Sequence, residues 1–241
     1  SVLFVLGYPG SGTKFVAQVV QHALGIDGEL AHGIEEPHVQ MSGWKSIPKG
    51  DYDDSYALHD AKFMQGFLEK YGHRPVCKEE FAVPYVMNFL AGTEHKAVYI
   101  QRDTLANVEF LLSWKPIMGW LWYFESIVAA EPEAAQDMWP EDAPSDSVPC
   151  ILAIAHELQL KHDLHTAKVC NVPVFKYETL CADYGTEWPR LFHKLGVSFT
   201  VDVQEEVRVR AFQPRTTFCV DEQLFAWVEE IERKASHDGH R

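Results

Sequence analysis

Val2 to Leu6 is an unbroken run of apolar side chains that stops at Gly7. A short continuous run of that kind predicts a strand buried on both faces of a parallel sheet. From Thr13 to Leu24 the apolar positions fall at helical spacing (Phe15, Val16, Val19, Val20, Ala23) and close before Gly25, which predicts a helix. The chain therefore begins as strand, loop and helix. Asp27 to Asp54 is polar, with Gly and Pro throughout and His32, Glu35, Glu36 and His38 interspersed, and reads as surface loop. Helical periodicity returns from Tyr56 to Tyr71. Arg74 to Lys78 then predicts a short strand, Pro84 to Leu90 a helix, and Ala97 to Ile100 a strand running directly into Gln101, Arg102 and Asp103. Thr104 to Ser113 reads as helix, and the aromatic stretch Trp114 to Phe124 continues in the same sense. The Pro- and acid-rich segment Glu131 to Pro149 reads as a linker or lid. Ile151 to Val169 is a long helix, Pro173 to Phe175 a last central strand leading into Lys176, Tyr177 and Glu178, and Asp221 to Lys234 an acidic amphipathic helix. This alternation predicts one α/β domain over residues 1–241, with a central, mainly parallel sheet flanked by helices.

Composition narrows the partners. The 241 residues are 46% hydrophobic and 23% charged, the profile of a globular chain able to bury a core without metal or disulfide help. Formal charge is −14, from 21 basic and 35 acidic residues. Duplex nucleic acid and anionic membrane surfaces are repelled on average by such a chain, so a polyanionic ligand requires a local positive pocket. Five cysteines stand far apart without a CxxC pair, which favours free thiols in a reducing, cytoplasmic setting and argues against a zinc site. The longest apolar run, Ile117 to Ala130, is too short for a membrane span and contains Glu125. His156, His162 and His165 share one predicted helix without metal-ligand spacing, and read as solvated or packed. No metal is expected.

The strongest chemical signal is Gly7-Tyr8-Pro9-Gly10-Ser11-Gly12-Thr13-Lys14, between the first strand and the first helix. Glycines let a backbone curl around phosphate oxygens, the helix N-terminus presents N–H groups and a positive dipole end, and Ser11, Thr13 and Lys14 add donors. The wording separates nucleotide classes. A Walker A loop ends Gly-Lys-Ser/Thr, whereas this one reads Gly12-Thr13-Lys14, with its lysine one place late. No apolar strand runs into a clear magnesium-holding Asp either, since Ile100 is followed by Gln101 and Arg102. A small-molecule or nucleoside kinase using ATP and magnesium, and a non-catalytic nucleotide-binding module, are the alternative readings.

Tyr8-Pro9-Gly10-Ser11-Gly12-Thr13 resembles the first loop of the sulfotransferases that use 3′-phosphoadenosine-5′-phosphosulfate (PAPS), commonly Tyr-Pro-x-Ser-Gly-Thr. Many members carry Lys or Arg where this chain has Gly10, and Lys14 is the substitute, as in members whose loop ends Gly-Thr-Lys. The strand Ala97 to Ile100 with Gln101, Arg102 and Asp103 is similar to the family's strand ending in Arg. That resemblance implies a 3′-phosphate contact for Arg102, whose fork matches a phosphate bidentately. Where the family has Ser eight residues further on, this chain has Phe110, and the nearest hydroxyl is Ser113. Val174-Phe175-Lys176-Tyr177-Glu178-Thr179-Leu180 resembles the family's strand followed by Tyr-Glu-Asp-Leu, where the Tyr reaches the adenine region in some members; anchoring of the next helix is the plainer role. His32-Gly33-Ile34-Glu35 with Gly43-Trp44 resembles a pattern of microbial sulfotransferase-like proteins.

The resemblance implies in-line sulfuryl transfer from PAPS to an alcohol, phenol or amine of a small acceptor, without metal. Gly10, Ser11, Gly12, Thr13 and Lys14 would hold the 5′-phosphosulfate, with Lys14 neutralising the departing oxygen. In the family a Lys ending the third strand is followed shortly by the general base, and Lys78-Glu79-Glu80 occupies that place. Side chains alternate along an extended segment, so Lys78 and Glu80 face one way and Glu79 the other. Glu80 is the expected base and His32 the reserve. Trp114, Trp120, Trp122, Tyr123 and Phe124 are either a wall of the acceptor pocket or plain core.

Overall fold

A computed structural model describes residues 1–26, 31–32, 65, 68–69, 75–80, 83–114, 116–211 and 221–237, with residues 31 and 32 described in their backbone alone. The surface loop and the helix expected between Asp27 and Tyr71 lie almost wholly outside these residues.

Five strands form one sheet: β1 (Leu3–Gly7), β2 (Ala31–His32), β3 (Val76–Glu79), β4 (Lys96–Gln101) and β5 (Val174–Lys176), in the order β2-β3-β1-β4-β5. Every pairing is parallel. The central strand β1 is buried along its whole length, as a strand covered on both faces must be. The helices are α1 (Thr13–Ala23), α2 (Val83–Leu90), α3 (Thr104–Ser113), α4 (Ile117–Ala130), α5 (Pro132–Met138), α6 (Val148–Val169), α7 (Tyr177–Ala182), α8 (Glu187–Leu195), α9 (Val201–Ala211) and α10 (Glu222–His237). The architecture is the α/β one expected.

The described residues fall into two compact units. The first takes those of Ser1–Ser42, Asp51–Arg102 and Asp163–Arg215, and the second those of Asp103–His162 and Thr216–Arg241. The first holds the sheet, and its core joins Val5, Val16, Val20, Val98 and Ile100 to Phe175, Trp188 and Phe192. Trp188 is fully buried, meets Phe15 edge-on at 5.4 Å between ring centroids, and donates its Nε1–H to the Leu180 carbonyl at 2.8 Å. That bond fixes α8 against α7. In the second unit Thr104 donates to Glu157 Oε1 at 2.6 Å and meets His156 Nδ1 at 2.8 Å, so His156 is a packed, hydrogen-bonded residue of the interior.

Two expectations are corrected. The helix of Thr104 does not run on through the tryptophans: it ends at Ser113, Trp114 turns extended (φ −76°, ψ 114°), and α4 starts afresh at Ile117. Pro116 is the cause, because it has no N–H to continue the helical ladder. The segment Glu131 to Pro149 is not all linker, since Pro132–Met138 is helical. Its proline stands at the first helical position, where a missing N–H costs nothing.

Trp188→Phe keeps most of the apolar contact and removes the bond to Leu180. We expect it to lower the unfolding free energy by about 1–3 kcal/mol, the cost of a buried carbonyl left unpaired, as read from equilibrium urea unfolding; an unchanged midpoint would refute that role.

Candidate phosphate-binding site

Parallel pairing turns the carboxyl ends of all five strands to one edge. β1 leads there into the glycine loop, β3 into Glu80, β4 into Arg102 and β5 into Tyr177. Gly10 and Gly12 are left-handed (φ 82° and 93°), a conformation that side chains with a Cβ adopt at a cost. Gly12 is the N-cap of α1. The N–H groups of Thr13, Lys14 and Phe15 therefore begin the helix without intrahelical acceptors, as an anion site requires. Ser11 and Thr13 are fully buried while Lys14 is exposed. The Ser11 hydroxyl has no hydrogen-bond partner among the described residues, and it stands so near Gly7 that a β-carbon there would be 2.3 Å from it. That hydroxyl, and a helix start whose first N–H groups lack intrahelical acceptors, suit an anion such as phosphate.

Beside the loop, Thr13 donates to Glu80 Oε1 at 2.6 Å. The other oxygen of Glu80 faces Lys78 Nζ at 3.2 Å. Lys78 and Glu80 thus project together, and Glu79 turns away, accepting the Glu80 backbone N–H on its own Oε1 at 3.2 Å. Lys78 is buried with 6% exposure, so the loop has a second, more enclosed cation besides Lys14. The strand-end pattern of one lysine two places before a carboxylate carried that signal, although attention to the glycine loop favours Lys14. Burial pushes the Cys77 thiol well up, with the charge of Glu79 adding to it and Lys78 opposing. That shift favours the neutral thiol over the thiolate.

On the other side of the loop, Arg102 donates from Nη1 to the Gly10 carbonyl at 2.8 Å. Its guanidinium carbon lies 4.6 Å from the centroid of the Tyr177 ring. Tyr177 in turn packs against Gly12. Gly10, Ser11, Gly12, Thr13, Lys14, Glu80, Arg102 and Tyr177 are thus gathered at one edge. His32 is placed by its backbone opposite Lys78 in the β2–β3 register. Ser113 belongs to the second unit, at the end of α3, where its hydroxyl donates to the Phe110 carbonyl at 2.5 Å. Of the aromatic stretch, Tyr123 and Phe124 are core, at 5% and 1% exposure. Trp114, Trp120 and Trp122 are half-buried, with the last two stacked at 6.0 Å.

No protein-family model matches the chain. None of the curated proteins matches it either. Among solved structures it is similar to a sulfotransferase domain from the curacin biosynthetic pathway, at 13% identity over 100% of this chain and 98% of that one, with a TM-score of 0.49. It is also similar to a sulfotransferase domain from the Synechococcus PCC 7002 olefin synthase, at 12% identity over 100% and 94%, with a TM-score of 0.43. Among the described residues no helix is long and apolar enough to cross a membrane, and no group of three or more His, Cys, Asp or Glu is placed to hold a metal.

Thr13→Val deletes the donor to Glu80 while keeping the shape of the side chain. We expect a loss of about 1–3 kcal/mol, the range for a hydrogen bond to a charged group, with Thr13→Ser near neutral; equal melting temperatures for all three proteins would show the bond to be idle.

Proposed function

We propose that this chain is a sulfotransferase that moves a sulfuryl group from PAPS to a hydroxyl or amine of a small acceptor. The observation that carries the reading is the meeting of the Tyr8–Thr13 loop with Arg102 and the Lys78–Glu80 pair at one sheet edge. The wording of the loop favours a phosphosulfate over the phosphates of ATP, because Lys14 falls one place beyond the Walker position. Backbone N–H groups of the loop, with Ser11 and Thr13, would grip the 5′-phosphosulfate, and Arg102 would take the 3′-phosphate. Lys14 would neutralise charge on the departing oxygen, assisted from the sheet side by Lys78. Glu80 would take the acceptor's proton. Two lysines and an arginine give this acidic chain the local positive pocket that a highly charged nucleotide needs.

A ligand that binds only the native state stabilises it by mass action, by about 2.7 kcal/mol at a hundred times its Kd, and so raises the melting temperature. Adenosine 3′,5′-bisphosphate is expected to do so without magnesium, and ATP with magnesium is not. The opposite result would return the kinase reading.

Glu80→Gln keeps an oxygen able to accept from Thr13 but removes the base. Transfer should fall by about two to four orders of magnitude with adenosine 3′,5′-bisphosphate affinity unchanged, and Lys14→Ala should lose about two to three orders. If Glu80→Gln is active while His32→Ala is dead, the histidine is the base.

A further inference from the structure

The strands that lead into the glycine loop, Arg102 and Tyr177 are β1, β4 and β5, three successive neighbours in the sheet. Arg102, the residue just past the middle strand, reaches both sides at once. Its Nη1 bonds the Gly10 carbonyl at 2.8 Å and its guanidinium rests over the Tyr177 ring. The ring also reaches the loop. A β-carbon built at Gly12 would stand 2.4 Å from Tyr177 Cδ2 and 2.5 Å from Cε2. Phe15, in the first turn of α1, meets the same ring edge-on at 6.3 Å. Gly10, Arg102, Tyr177 and Gly12 therefore close a ring of contacts under the loop.

A glycine has no side chain by which a fold can hold it, and it forfeits more backbone freedom on ordering than any other residue. A loop with glycines at positions 10 and 12 stays aimed only if something presses on its backbone directly. A flat aromatic face is suited to that, because it can approach a bare α-carbon closely over a wide area. We propose that Tyr177 is a positioning residue of the phosphate loop: its ring seats Gly12 in the left-handed conformation that opens α1, and Arg102 clamps the ring and the Gly10 carbonyl together. The inference rests on reading the loop as a phosphate site, and it assigns Tyr177 a role toward the protein's own backbone rather than toward the base of a nucleotide. It also predicts that the seating role lies in the ring rather than in the phenol oxygen.

The test combines two measurements on the full chain with Tyr177→Phe, Tyr177→Ala, Tyr177→Leu, Gly12→Ala and the Gly12→Ala/Tyr177→Ala double variant. Hydrogen exchange of the amides of residues 11–14 needs no ligand. Calorimetry compares adenosine 3′,5′-bisphosphate with the methyl riboside 3,5-bisphosphate that lacks the base. Tyr177→Phe, which keeps the ring, should exchange its loop amides at the parent's rate. Tyr177→Ala should speed loop exchange about tenfold and weaken both ligands equally, by about ten- to a hundredfold, as loss of a supporting contact does. Gly12→Ala should be worse than Tyr177→Ala, and the double variant better than the product of the two, since the clash is gone and only the backbone strain remains. If Tyr177→Ala does not fold, Tyr177→Leu, which keeps bulk without the flat face, decides. Unchanged loop exchange overturns the inference, and so does weakening confined to the base-bearing ligand. A parent protein that binds neither ligand refutes the nucleotide reading instead, and the exchange arm still decides the seating role.

Discussion

The pairing of β1 with β3 on one side and β4 on the other is parallel and nearly in step, with Leu6 opposite Glu79 and Gly7 opposite Ile100. Everything at the candidate site depends on that register. It brings the residue after β3 and the second residue after Ile100 level with the start of the glycine loop, so that Glu80 reaches Thr13 and Arg102 reaches Gly10 by their own lengths. A one-residue slip would turn Lys78 and Glu80 to the opposite face of the sheet and leave Glu79 in their place. Such a sheet demands helices on both faces and apolar strands between them, which is the reason for the near-continuous hydrophobic runs of β1 and β4.

The Lys78–Glu80 pair is not there for stability alone. Taking two charges out of water costs about as much as their attraction returns, and a buried pair is often no better than an apolar substitute of equal size. With side chains 8% and 16% exposed, it carries much of that cost. What the pair supplies is placement: a cation and a carboxylate held at fixed positions beside Thr13. Arg102 follows the same logic on the other flank, with one of its donors engaged by a backbone carbonyl and its face engaged by a ring.

The elements with one clear period were legible before any coordinates. β1, α1, β4, α3, α6 and α10 lie within a few residues of where periodicity puts them, because each is long or apolar enough for its pattern to outlast its neighbours. What was not legible has local causes. Pro116 interrupts an aromatic run whose composition alone reads as one helix, and Pro132 begins a helix inside a segment whose acid and proline content reads as linker. α7 and α8 follow a three-residue strand and are short, so tertiary burial, above all that of Trp188, specifies them more than propensity does. Around the candidate site, the position of the glycine loop, Glu80 and Arg102 just past the ends of β1, β3 and β4 was readable from sequence. The ring contact of Tyr177 with Gly12 was not, since two residues 165 positions apart meet only through the order of the strands.

The same contacts account for where this loop departs from the sulfotransferase pattern it resembles. Gly10 stands at φ 82°, in a region that costs a lysine or arginine about 1–2 kcal/mol, and its carbonyl is turned to Arg102. A basic side chain there would start from a strained backbone. Two residues past Gly12 that constraint is gone, because Lys14 lies within α1 in ordinary helical conformation with its side chain exposed. The positive charge that an anion site needs can then be carried by the first turn of the helix, where the backbone is unstrained, while the glycine at position 10 is left free to meet the arginine.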